Sequence, residues 1–201
     1  MANGTPYEVI MGPMELYVAP VGEAFPDVDE APAGNWDLVG TSGKQNYKED
    51  GVTVTLSQTL AHFRGLGSTL PIKSIRSEED VTVEVILADM ALEQVALALN
   101  SNTVTTTAAG TGTPGDKAIQ LYRGPDVAQM ALLARGPSPY FASGYAQFEL
   151  LKVVVEGEPA MVWTKSGDPV GVQLMFRAQA DLTQAEADQV GVLRAMTAVA
   201  N

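Results

Sequence analysis

At 201 residues and 21.2 kDa the chain is long enough to bury one core, and with 46% hydrophobic and 18% charged residues it lies far from the composition of chains that stay disordered. Twenty-four acidic against twelve basic residues give a formal net charge of -12, which disfavours a surface that grips phosphate backbones through Lys and Arg clusters. No cysteine is present, so disulfides and thiolate metal sites are excluded, as suits a protein assembled in a reducing cytoplasm.

The start Met1–Pro6 lacks the basic and apolar regions of a signal peptide, and no secretion signal is expected. Apolar runs such as Val85–Ala88 fall far short of the ~20 residues that cross a bilayer as a helix, so no membrane anchor is expected either.

Met14–Pro20 is rich in strand formers and predicts a short strand. Val21–Gly34, with Pro26, Pro32 and several acids, reads as an exposed loop, and Trp36–Gly40 as a short return to ordered structure. Val52–Ser57 and Val81–Val85 alternate apolar and polar residues strictly, the signature of half-buried strands. This alternation sends Val52, Val54, Leu56, Val81, Val83, Val85 and Leu87 to the core, and Thr53, Thr55, Ser57, Thr82 and Glu84 to the opposite face. Between these strands, Thr59–Arg76 contains Gly65, Gly67 and Pro71 and reads as a long loop with an apolar tip. Asp89 is placed to cap a short helix in which Leu92, Val95, Ala96 and Leu99 share one face.

Asn100–Asp116 is rich in Thr and Gly and predicts a loop, with one strand at Thr103–Thr107. Further strands are expected at Ala118–Tyr122, Ala128–Ala134, Gln147–Val155, Met161–Thr164 and Val170–Gln179, separated by turns that include Gly167-Asp168-Pro169. Thr183–Glu186 has the form of a capping box, which favours a C-terminal helix; an extended arm ending at Asn201 is the competing reading. Val85–Leu92 and Phe176–Thr183 each join an apolar strand to an Asp and a helix-like start, which suggests two long hairpins of similar design.

Every catalytic pattern tried fails on a particular residue. His62 is the only histidine, and Gly136-Pro137-Ser138-Pro139-Tyr140 lacks the second glycine of a nucleophile elbow. Gly110–Gly115 has phosphate-loop spacing but is followed by Asp116 and Lys117, with no hydroxyl for magnesium. Asp27–Glu30 begins like a calcium loop, yet Pro32 stands where glycine is needed and Leu38 where glutamate is needed. Glu78 and Glu79 are consecutive and would point to opposite faces of a strand, and Trp36 and Trp163 are too dispersed for a base-stacking platform. That outcome is expected of a structural protein and also of an enzyme with no familiar motif; the reading taken is that the chain is not an enzyme and holds no metal or other cofactor.

Several phrases carry a likeness: Gly12–Gly22, Trp36–Gly40, Glu49–Val54, Arg76–Asp89, Leu132–Pro139 and Phe176–Asp181. In order and spacing they resemble the major tail tube proteins of long-tailed (siphovirus-type) phages. The resemblance implies a mainly β fold: a β-sandwich or partial barrel with long lumen-lining hairpins and a flanking α-helix. It implies a single tail-tube domain, with an N-terminal arm and loop over about 1–50 and the first hairpin and helix over about 51–100. The second half with its hairpin would cover about 117–181, and a C-terminal arm or helix 182–201. Six copies would close into a ring and the rings stack into the virion's tail, assembled in the bacterial cytoplasm. The tape measure protein and tail terminator would be partners, and double-stranded DNA would pass without specific binding.

On that reading Thr53, Thr55, Ser57, Thr82, Glu84, Gln147, Glu149, Gln173 and Arg177 face a polar, net acidic lumen, with Arg177 pairing to Glu84 or Glu149. Leu60, His62, Phe63, Arg64, Leu66, Leu70 and Ile72 belong to a loop that bridges to the next ring. The competing readings are another ring or tube component (tail terminator, secretion tube or capsid decoration protein) and a β-sandwich enzyme or carbohydrate-binding module.

Overall fold

The computed structural model describes residues 10, 12–163, 165, 167 and 169–199. The expected N-terminal residues Met1–Pro6, the strand end at Thr164, the turn residue Asp168 and the terminal Asn201 lie outside these.

The chain is mainly β. In order it forms β1 (Glu15–Ala19), β2 (Asp37–Leu38), β3 (Tyr47–Phe63), β4 (Lys73–Leu87), α1 (Leu92–Ala98), β5 (Val104–Thr107), β6 (Asp116–Ile119), β7 (Gln129–Pro137), β8 (Tyr145–Glu156), β9 (Val172–Ala178) and β10 (Gly191–Ala195). Eight strands build one antiparallel sheet in the order β2-β1-β7-β8-β9-β4-β3, with β10 added on β8; β5 and β6 form a separate two-stranded sheet. β8 serves two neighbours along one edge, since Ala146–Leu150 pairs with β10 and Val153–Glu156 pairs with β9.

Period-two alternation decides what each strand buries. Val83, Val85 and Leu87 of β4 stand opposite Phe176, Leu174 and Val172 of β9, Val81 precedes them on the same face, and all are buried. With Leu16, Leu132, Leu150 and Val153 they make one apolar layer, against which Val52 and Val54 of β3 and Leu97 beside the buried Ala98 of α1 also pack. Burial of such side chains contributes about 1.5–3 kcal/mol each. The expected helical face is present, with Val95, Ala96 and Leu99 buried and Leu92 half-buried.

The two ends of the strand order approach each other without pairing. Tyr47, at the start of β3, accepts the Leu16 N–H of β1 at 3.1 Å and donates its hydroxyl to the Val39 carbonyl at 2.8 Å. Burial pushes the Tyr47 phenol well above its ordinary pKa; Glu15 and Tyr17 add to the shift, and the Leu16 bond works against it. The result is a partial barrel with a flanking helix.

Four expectations are corrected. Half of the Thr59–Arg76 loop is strand, because β3 runs to Phe63 and β4 begins at Lys73; residues 64–72 turn the chain. Asp89 is not the helix cap, which is Ala91; its carboxylate instead accepts the Thr41 and Ala91 N–H groups at 2.7 and 2.9 Å. Met161–Trp163 is irregular, so the β8–β9 pairing stops at Glu156 and Met175 and makes a short hairpin. The C-terminal segment is neither helix nor free arm. Asp181 takes the Thr183 N–H and hydroxyl, a three-residue 3-10 turn follows at Glu186–Asp188, and β10 then adds to β8. Gly191 makes that docking possible, since at φ 146° a Cβ there would sit 1.9 Å from the Glu149 carbonyl oxygen.

Candidate functional site

The most unusual surface is the β3–β4 ribbon. β9 pairs with β4 only over Thr82–Leu87, so Lys73–Val81 is hydrogen-bonded to β3 alone. That projecting part is roughly 30 Å of strand at ~3.4 Å per residue. β3 is also the last strand of the sheet order, which leaves its outer edge unpaired among the described residues. Gly51, at φ 65° where the β3–β4 register shifts, and a second shift between Thr59 and Leu60 bend and twist the ribbon.

Its two faces differ chemically. On one, β3 presents the hydroxyls of Thr53, Thr55, Ser57 and Thr59, which stand opposite Glu84, Thr82, Asp80 and Glu78 of β4. Thr53, Thr55 and Ser57 are exposed, and Thr82 and Glu84 half-exposed. β9 continues this face: Gln173 donates its side-chain amide to Glu84, and Arg177 lies opposite Thr82. Arg177 pairs with neither Glu84 nor Glu149; its guanidinium is 2.8 Å from Glu156 and 4.0 Å from Asp80. Alternation alone would have added Glu78 and Asp80 to the predicted set, since both are an even number of residues from Glu84.

On the other face, and on both faces of the outer ribbon beyond Thr59, apolar groups stand with nothing over them. Leu56, expected in the core, is 72% exposed because the sheet beneath it has ended. Leu60, Phe63, Leu66, Leu70, Ile72 and Ile75 are exposed along the outer ribbon and its turn, and Leu66, at the apex between Gly65 and Gly67, is fully exposed. His62 is also exposed and exchanges a 2.7 Å hydrogen bond with Ser74 across the strands. Arg64, at the turn, is exposed as well. All seven residues expected in the bridging loop therefore lie on the ribbon end.

Gln147 and Glu149 do not share this exposure. They are 0% and 4% exposed, beneath the Val21–Gly34 segment, whose composition predicts an exposed loop. Gln147 donates its amide to the Pro26 carbonyl at 2.7 Å and to Glu149 at 2.8 Å, and Glu149 pairs with Arg194 of β10 at 2.9 Å. Arg135 donates to the carbonyls of Glu30 and Val28, with its guanidinium 4.1 Å from the Tyr145 ring centroid, and Trp36 donates to Ala24. Phe25 packs beside Trp36 with ring centroids 5.0 Å apart. Burial, with smaller effects from Glu15, raises the Tyr17 phenol pKa in the same region. The segment is thus a strap held by buried donors rather than a free loop.

Among the described residues no cluster of acidic and imidazole side chains could hold a metal ion, and no helix is long and apolar enough to cross a membrane. No protein-family model matches the chain, and no curated protein is significantly similar to it.

Proposed function

We propose that this chain is the subunit of a phage tail tube, a structural virion protein whose copies close into hexameric rings that stack around a DNA-conducting channel. The observation that carries the reading is the β3–β4 ribbon, which extends past its own sheet with unpaired edges and seven exposed large apolar side chains. Such an edge is a template for strand addition, and monomeric proteins ordinarily blunt or cover it. Closure of several ribbons into a ring would satisfy the backbone amides and remove the edges together.

The polar face suits a channel wall. Its carboxylates Glu78, Asp80 and Glu84 would repel a phosphate backbone, and the nearby cation Arg177 is already held by Glu156. DNA in contact with such a wall stays hydrated and gains no counterion-release affinity. The resemblance of Gly12–Gly22, Arg76–Asp89 and Leu132–Pro139 to tail tube proteins supports the same reading.

Electron microscopy of concentrated protein, with light scattering, tests it. Hollow tubes or stacked rings are expected. A solution that stays monodisperse at 21.2 kDa at every concentration and salt would overturn the proposal.

A further inference from the structure

The charge of this acidic chain is segregated. Residues 60–76, the outer ribbon and its turn, contain Arg64, Lys73 and Arg76 and no Asp or Glu, a formal charge of +3. The other 184 residues carry all 24 acids and nine basic residues, a formal charge of -15. Arg76 is engaged locally, 3.1 Å from Glu79 and bonded to Gln58. Arg64 and Lys73 have no acidic partner among the described residues, and they flank the turn that exposes Phe63, Leu66, Leu70 and Ile72. The ribbon end is therefore an apolar knob flanked by two uncompensated cations.

A complementary surface exists on the same chain. Three of the grooves in the described residues bear on where that knob could seat. The one beside Tyr17 and Arg135 balances Glu15 and Asp29 against Lys44 and Arg135, and the one beside Met14 and Phe148 has no charged lining. The third, of about 430 Å³, lies between the strap and β10; Phe25, Leu151 and Val192 give it apolar lining, and Asp27 and Asp188 lie on its sides. Glu149 and Arg194 in this groove pair with each other, so Asp27 and Asp188 set its net negative charge.

We propose that the basic, apolar end of the β3–β4 ribbon docks in this acidic groove of a second copy of the chain, and that this contact makes self-association salt-sensitive. The proposal rests on the tube reading and adds to it the receiving surface and the force that selects it. A second copy fits better than a nucleic acid. Two free cations are far fewer than the ~6–10 phosphate contacts that give strong salt-dependent DNA binding, and the remaining surface repels DNA. A knob with two charges facing a groove with two opposite charges gains steering and register, and like-charge juxtaposition at the same place is strongly disfavoured.

The test uses the full chain and three variants: Arg64→Glu/Lys73→Glu, Asp27→Lys/Asp188→Lys, and the two pairs combined. All four positions are exposed, so circular dichroism melting curves should match the wild type. Light scattering then reads the concentration at which half the protein is assembled. Each double variant should raise it by about tenfold or more, and the combined variant should restore it. Raising salt from ~0.1 to ~1 M shortens the Debye length from ~10 to ~3 Å and should weaken wild-type association.

Wild-type tubes that form equally well from both double variants would overturn the docking contact and leave the tube reading standing. A wild-type chain that never associates would overturn both. Salt-sensitive binding of a DNA duplex that is lost in Arg64→Glu/Lys73→Glu, with self-association unchanged, would assign the ribbon end to nucleic acid and overturn the proposal.

Discussion

Two stretches with the same alternating design end in opposite environments. Over Thr53–Thr59 of β3 and Glu78–Glu84 of β4, every second residue is a hydroxyl or carboxylate on the open face, and the ribbon leaves the sheet behind. In β8, Gln147 and Glu149 alternate in the same way, yet both are buried under the strap and paired to it or to β10. Alternation fixes which face a side chain takes. What covers that face is decided by segments far away in sequence, here residues 24–30 and 191–195, more than a hundred and more than forty positions from their contacts.

The largest effect that sharpens the contrast comes from one aromatic at the rooted end of the ribbon and one at its tip. Phe176 is wholly buried, opposite Val83, and Phe176→Ala should cost about 3–5 kcal/mol in urea unfolding of the monomer. Phe63 is 64% exposed, and Phe63→Ala should change monomer stability by about 0.5 kcal/mol or less while reducing self-association. A tip variant that destabilises the isolated chain as much as the core variant would mean that the tip folds back on its own subunit.

The same contrast explains what could be read from the sequence. The strands at Val52–Ser57 and Val81–Leu87 and the helix near Leu92–Leu99 follow from periodicity, because in each the apolar face meets the core directly. The outer ribbon reads as loop in the sequence for the opposite reason. Beyond Leu56 no core lies beneath it, so nothing requires alternation, and the register shift between Thr59 and Leu60 breaks the period as well. Glycines 65 and 67 mark the true turn, but the strand on either side has no pattern to announce it. The C-terminal capping-box pattern at Thr183–Glu186 fails because Asp181 takes the Thr183 N–H and hydroxyl, and the residues beyond find an open edge on β8.

A smaller effect separates the covered polar face from the open one. Gln147→Ala removes the donor to the Pro26 carbonyl and to Glu149, both buried contacts, and should cost about 1–3 kcal/mol. Hydrogen exchange over residues 24–30 should accelerate, since the strap loses one of its ties. Gln173→Ala, on the exposed face where its amide only reaches Glu84, should cost about 0.5 kcal/mol or less and leave the strap unchanged. Equal losses from the two substitutions would show that the strap does not bury its polar floor in solution.

The smallest effect concerns the ribbon's root, where Asp89 ties the end of β4 to residues 41 and 91. Burial alone would raise its carboxyl pKa, but hydrogen bonds from the Thr41 side chain and from the Ala91 and Thr41 N–H groups outweigh burial and hold it below the ordinary value. A carboxylate with a depressed folded-state pKa contributes stability that is complete above its unfolded value near ~4 and is lost as pH falls through the folded value. Asp89→Asn should therefore destabilise the chain at neutral pH by about 1 kcal/mol or less. The gap between variant and wild type in thermal melting should close as pH falls from the unfolded carboxylate value through the lower folded one. A gap that widens on acidification would reverse the sign and show that the root is held by the neutral carboxyl instead.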